Sequence, residues 1–234
     1  MLHKVRTHTD SCRRQFLQGV LSSAVVGAVA GSGIELGTSE RLSAQANLSP
    51  DTALQELLAG NQRFAANKLT SIEHDLSILK EHTLEKQEPF AAVLACADSR
   101  VPVELLFDQT IGHIFVTRIA GNFVTPEIIA SLEYGVAVLG VKTLLVLGHS
   151  NCGAIKAAMK ADSVPGQISS LYAPLRRAVE QSGGNFNQAI EINTKIQAEL
   201  LRTSSTVIRD AVKAGKLRVD AAVYDLGTGK ATLG

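Results

Sequence analysis

Three short apolar runs, each stopping at a polar cluster, constrain the fold of this 234-residue chain more than any other feature. They are "PFAAVLA" (89–95), "HIFVTRIAGN" (113–122) and "TLLVLGHSN" (143–151). Runs this short and this apolar read as strands buried on both faces. Between the second and third, "PEIIASLEYGVAVLG" (126–140) reads as a helix, and near the end "LRVDAAVYDLGTGKATLG" (217–234) reads as a late strand and hairpin. Strand, helix, strand in that order predicts an α/β fold: a mostly parallel central β-sheet flanked by helices on both faces. Ahead of it, "SPDTALQELLAGNQRFAAN" (49–67) has apolar residues three and four apart behind a capping Ser49, which predicts an N-terminal helical arm. The segment "SIEHDLSILKEHTLEKQEP" (71–89) is polar and irregular, a short helix or a loop.

In open parallel sheets, ligands bind just beyond the carboxyl ends of the strands. Two unusual clusters stand at such ends, "CADSR" (96–100) and "GHSNCG" (148–153). Cys96 and Cys152 are the only cysteines after residue 46, and two cysteines in an exported chain also allow a disulfide. His149 favours another reading. It stands three residues before Cys152 in a strand-to-helix turn, and two thiolates with one imidazole form a Cys₂His set that zinc accepts with one position left for water or substrate. Asp98, two residues beyond Cys96, is placed to accept a proton from water at such a site, and Arg100 to hold Asp98 by two hydrogen bonds. An Asp-x-Arg pair at a strand end also serves as a purely structural ion pair.

The first 46 residues differ in kind. A basic stretch containing Arg13-Arg14 leads into Phe16-Leu17 and an uncharged region diluted by Gly, Ala and Ser, the layout of a bacterial twin-arginine export signal. A membrane anchor needs about 20 strongly apolar residues, which the glycines and serines here interrupt. Ala44-Gln45-Ala46 offers a small-x-small cleavage site, so residues 1–46 are expected to be a signal peptide and 47–234 the mature domain, without a stable membrane anchor. The expected compartment is the periplasm, or a thylakoid lumen if the source is photosynthetic. The formal charge of +1 lacks the basic excess of a nucleic-acid binder, and the mature domain is nearly neutral.

From Asp51 to the C-terminus the chain resembles the β-class carbonic anhydrases. "CADSR" and "GHSNCGA" are similar to the two signatures of that family, and "QEP" (87–89), "RIAGN" (118–122), "SLEYGVAVLG" (131–140) and "VYDLGTGK" (223–230) extend the likeness. The resemblance implies one Zn2+ per chain held by Cys96, His149 and Cys152, with Asp98 and Arg100 as the dyad beside it. It further implies Gln87 as a donor to substrate, Phe115 and Tyr134 as pocket walls and Gly153 as the small residue beside a ligand cysteine. The implied reaction is reversible hydration of carbon dioxide to bicarbonate, in a homodimer or larger assembly whose pocket walls cross the subunit interface. It also implies a switch in which Asp98 leaves Arg100 and closes the site at lower pH. The chain has no Trp, so the Trp-containing bicarbonate pocket of some bacterial members is absent in that form.

Four rival readings stay open on the residues alone. Cys152 at a helix start with His149 as base describes a thiol enzyme, which would make Cys96 dispensable. Gly148 and Gly153 bracket a helix start as a phosphate-binding loop does, although no Lys follows Gly153. Relatives on the same scaffold act on carbon disulfide or carbonyl sulfide, and a further relative could keep the fold only for binding.

Overall fold

The computed structural model describes residues 48–71 and 86–234. The expected signal and cleavage site at residues 1–46 lie outside the described residues, as does most of the irregular segment after Ser71. Helix α1 (Pro50–Ala65) opens the domain with Ser49 as its cap, the Ser49 side chain accepting from the Thr52 amide, and Pro50 fills the first turn where no donor is missed. There follow β1 (Ala91–Ala95), a short α2 (Val103–Leu106), β2 (Ile114–Arg118), α3 (Pro126–Ala137) and β3 (Thr143–His149). The second half contains α4 (Gly153–Lys160), a 3₁₀ turn, α5 (Tyr172–Gln181), α6 (Phe186–Ser204), α7 (Thr206–Lys213), β4 (Arg218–Tyr224) and β5 (Ala231–Leu233).

The sheet order is β2-β1-β3-β4-β5, parallel except for the antiparallel β4–β5 hairpin. The expected α/β architecture is therefore what forms. Every residue of β1 and β3 is buried, as strands covered on both faces must be. Alternate side chains go to opposite faces. Ala91, Val93 and Ala95 join Leu54 and Leu57 of α1 with Leu106 and Phe107, so the N-terminal helix packs as a core element. Ala92 and Leu94 join Leu132 of α3, Leu201 of α6 and Ile208 of α7 on the other face.

The chain leaves β1 for β2 on one side and leaves β3 for β4 on the other. The adjacent ends of β1 and β3 thus form a topological switch point, where loops diverge and open a crevice. Register puts the crevice where the two clusters stand: Ala95 pairs with Leu147, so Cys96 emerges beside Gly148 and His149. Gly148 is required there, because a Cβ would stand 2.4 Å from Thr194 Oγ1 of α6. No helix among the described residues is long and apolar enough to cross a membrane.

Candidate metal centre

Cys96, His149 and Cys152 come together in the crevice, their ligand atoms all within 4.8 Å of one another. All three are buried: His149 is fully enclosed, and both cysteines are free thiols packed with Leu175, Ile155 and Ile190. Fifty-three positions separate Cys96 from His149 in sequence, and only the pairing of β1 with β3 makes them neighbours.

Local turn chemistry aims each ligand. The His149 Nδ1 lies 2.9 Å from the Ser150 carbonyl, which accepts its proton and leaves Nε2 as the nitrogen with the free lone pair. That Nε2 is buried and has no hydrogen-bond partner, an orphan acceptor facing two sulfurs. Ser150 is itself pinned, donating its amide to Tyr224 O and accepting the Leu226 amide at Oγ. Asn151 takes φ 56°, a left-handed conformation that Asn tolerates, and turns the chain so that Cys152 becomes the cap residue of α4.

The electrostatics favour a thiolate. A hydrogen bond from Cys152 pulls the Cys96 thiol down to about 4 against the penalty of burial, aided by the Gly121 amide. Cys152 is pushed up by sharing its proton with Cys96 and by burial, while the Ile155 and Ala154 amides of the α4 start oppose that rise. Two buried sulfurs, one of them biased toward thiolate, beside an unpartnered imidazole nitrogen are matched by a soft cation. The donor set fits zinc.

Asp98 stands at the edge of this cluster, its Oδ2 3.9 Å from His149 Nε2. Arg100 holds it with three donors: its amide and Nε on Oδ1, both at 2.9 Å, and Nη2 on Oδ2 at 2.7 Å. The side-chain hydrogen bonds from Arg100 hold the Asp98 carboxyl well below the usual carboxylate range despite partial burial. Of the two forms expected for this residue, the Arg100-bound one is described here.

The other four expected residues are Gln87, Phe115, Tyr134 and Gly153, the last of which directly follows Cys152 at the start of α4. Gln87 is exposed before β1. Phe115 and Tyr134 pack ring to ring at 6.2 Å, but Phe115 pairs with Ala92, three residues short of the strand end. At about 3.3 Å per residue that is roughly 10 Å back from the crevice. Gly153 is exposed, and a Cβ there would meet nothing within 4 Å. Conversely, Arg118 had drawn no role from the sequence. It ends β2 and clamps the Cys96–Asp98 turn, donating from Nε to Cys96 O at 2.9 Å and from Nη2 to Asp98 O at 2.6 Å.

The family described as carbonic anhydrase matches residues 91–231, which span β1 to β4 and both clusters. The chain belongs to the β-class carbonic anhydrase family. It is 31% identical over 199 residues to carbonic anhydrase 2 of Mycobacterium tuberculosis, covering 80% of this chain and 94% of that protein. A carbonic anhydrase of Mycolicibacterium smegmatis is 34% identical over 198 residues, with the same coverage of each chain. Among solved structures, one of two tetrameric β-carbonic anhydrases of Sordaria macrospora superposes with a TM-score of 0.61 at 25% identity, covering 78% of this chain and 96% of that one.

Proposed function

We propose that this protein catalyses CO2 + H2O ⇌ HCO3− + H+ at the crevice between β1 and β3. The observation that carries this reading is the buried Cys96–His149–Cys152 set with His149 Nε2 unpartnered, placed beside a carboxylate held by arginine. Zinc, when bound, supplies the Lewis acidity that makes hydroxide available near neutral pH. Cys96, His149 and Cys152 would hold it, three protein ligands being the number that leaves one position open in catalytic sites.

The chain's own residues do the rest. Arg100 keeps Asp98 ionised and hence able only to accept hydrogen bonds. Asp98 therefore orients the attacking water by accepting a hydrogen bond from it, so that the lone pair faces the carbon of CO2. Arg118 holds the turn carrying Cys96 and Asp98 at its two carbonyls, which fixes the carboxylate relative to the ligand. Gln87 donates to substrate, Gly153 leaves room beside Cys152, and Phe115 and Tyr134 wall the pocket of a neighbouring subunit. The distance of Phe115 from its own crevice and the 47% exposure of Tyr134 support that placement across a homodimer or larger assembly.

Residues 1–46 act as a cleaved twin-arginine signal, and residues 47–234 function in the periplasm, or in a thylakoid lumen in a photosynthetic source. Export in the folded state brings Cys96 and Cys152 into an oxidising compartment already on metal, which prevents their pairing. Changing Arg13 and Arg14 together to Lys is expected to block export; unchanged export would refute the route.

The decisive test is zinc per chain together with CO2 hydration by stopped flow at neutral and alkaline pH. About one zinc per chain with fast hydration is expected. Zinc without hydration would overturn the substrate, and absence of zinc would return Cys152 to the role of a reactive thiol.

A further inference from the structure

Helix α6 buries a polar pair where its spacing calls for apolar residues. Its inward face runs Ala189, Ile190, Asn193, Thr194, Gln197, Ala198, Leu201, the three-and-four spacing of a core-facing stripe, and Asn193 and Gln197 are each only 1% exposed. Two amides one turn apart in a core are costly unless every hydrogen bond is directed. Here they are directed. The Val124 amide donates to Gln197 Oε1 at 3.0 Å, Gln197 Nε2 donates to Asn193 Oδ1 at 3.1 Å, and Asn193 Nδ2 donates to the Gly121 carbonyl at 2.9 Å. Gly121 in turn donates its amide to Cys96 Sγ at 3.3 Å. Gly121 has φ +91°, and a Cβ would meet Leu175 and Ala154 at 3.1–3.2 Å, so this residue has both the conformation and the closeness that glycine permits.

We propose that Asn193 and Gln197 are positioning residues for the metal centre: the pair pins the Gly121 carbonyl so that the Gly121 amide stays on the Cys96 sulfur. The donor lies in the loop after β2, beyond Ile119, where backbone bonding to the end of β1 stops, and Asn193 supplies from α6 a constraint on Gly121 itself. Gln197 fixes both ends of that loop, holding Val124 directly and Gly121 through Asn193. A hydrogen bond to a ligand sulfur withdraws electron density from it, and so governs how strongly that sulfur donates to a metal. The role is exerted through Gly121, since the side-chain hydrogen bonds of the two amides go to Gly121, to Val124 and to each other.

This inference rests on the zinc reading of the cluster, and its test is read only against wild-type protein shown to take up metal. Failure of that reading therefore appears as no uptake by wild type, before any variant is compared. The experiment is the sulfur-to-cobalt charge-transfer band of the Co2+-loaded protein, with zinc release to a chromophoric chelator, in wild type, Asn193→Leu, Gln197→Glu and the control Leu201→Ala. Leu201 is a fully buried apolar residue of the same helix with no polar link to the loop. Asn193→Leu is expected to move the band to longer wavelength, because the sulfur lone pairs lose a stabilising donor, and to speed zinc release by about tenfold, because the buried thiolate loses the contact that keeps it charged and in place, which outweighs its stronger donation. Gln197→Glu keeps the acceptor for Val124 but loses the donor to Asn193, so a smaller shift in the same direction is expected. It also stands in if the leucine variant does not fold. Leu201→Ala is expected to lower stability while leaving the band in place. An unmoved band and unchanged zinc release in the folded Asn193 or Gln197 variants would overturn the proposal and leave the pair as core packing; a band moved equally by Leu201→Ala would do the same.

Discussion

Two carboxylate–arginine pairs in this molecule are built on opposite plans. Asp98 is held by a residue two positions away, and its Arg100 partner is more than half exposed. Asp108 is held from afar. Its side chain is fully buried, and it accepts from Arg63 Nε at 2.5 Å, from the Thr70 amide and hydroxyl at 2.8 Å each, and from the Ser71 amide at 3.0 Å. The first pair is local and borders the metal cluster; the second ties α1 and the segment after it to the turn that follows α2. A carboxylate held by its own turn costs the fold little when altered and is free to do chemistry. One that joins segments 37 to 45 residues apart is part of the fold itself.

The comparison can be broken most severely at the cluster that Asp98 serves. His149→Ala is expected to abolish zinc retention and CO2 hydration together, read by metal analysis and stopped flow, because only two ligands remain. Next comes Asp108→Ala, which leaves a half-buried arginine and the Thr70 and Ser71 donors without their acceptor. A loss of about 3 kcal/mol in urea unfolding is expected, with hydration per folded molecule unchanged. Asp98→Asn should show the reverse, a fall of about 100-fold in kcat/KM with an unfolding midpoint close to wild type. If Asp98→Asn proved the more destabilising of the two, the division between local and long-range pairs would be wrong.

A gentler test uses acid. Burial opposes the charge on Asp108, but Arg63, Thr70 and Ser71 overcome it and hold the carboxyl below its usual range. A depressed folded pKa means that the stabilisation is fully present above the unfolded value, about 3.9 for Asp, and is lost as pH falls below it toward the folded value. Urea midpoints measured from pH 6 downward should therefore fall more steeply in wild type than in Asp108→Asn below about pH 4. The smallest effect lies at the start of α1, where Ser49→Ala is expected to cost about 1 kcal/mol and to leave hydration untouched.

Much of this was legible along the chain. The buried strands 91–95 and 143–149, the capped helix from Pro50 and the hairpin near the end follow from local pattern, and the "CADSR" and "GHSNCG" clusters stand at the strand ends where they were expected. Helices α5 to α7 drew no reading from the sequence, although α5 and α6 pack against the cysteines and α6 carries Asn193 and Gln197. Two buried amides on a helix at i and i+4 are a visible signal, but nothing local distinguishes them from a solvated stripe. Asp108 gave no sign either, since its four donors come from residues 63, 70 and 71.

The sequence by itself determined which side chains end the strands, because strand periodicity, turn preference and capping act over a few residues. It also determined the Asp98–Arg100 pair, whose partners share one turn. Only the tertiary structure decided that Cys96 meets His149 and Cys152, that Arg118 grips the turn between them, and that Asn193 reaches Gly121. Those contacts depend on β1 lying between β2 and β3 and on α6 crossing at Gly148, and strand order is set by the packing of the whole sheet rather than by any one segment.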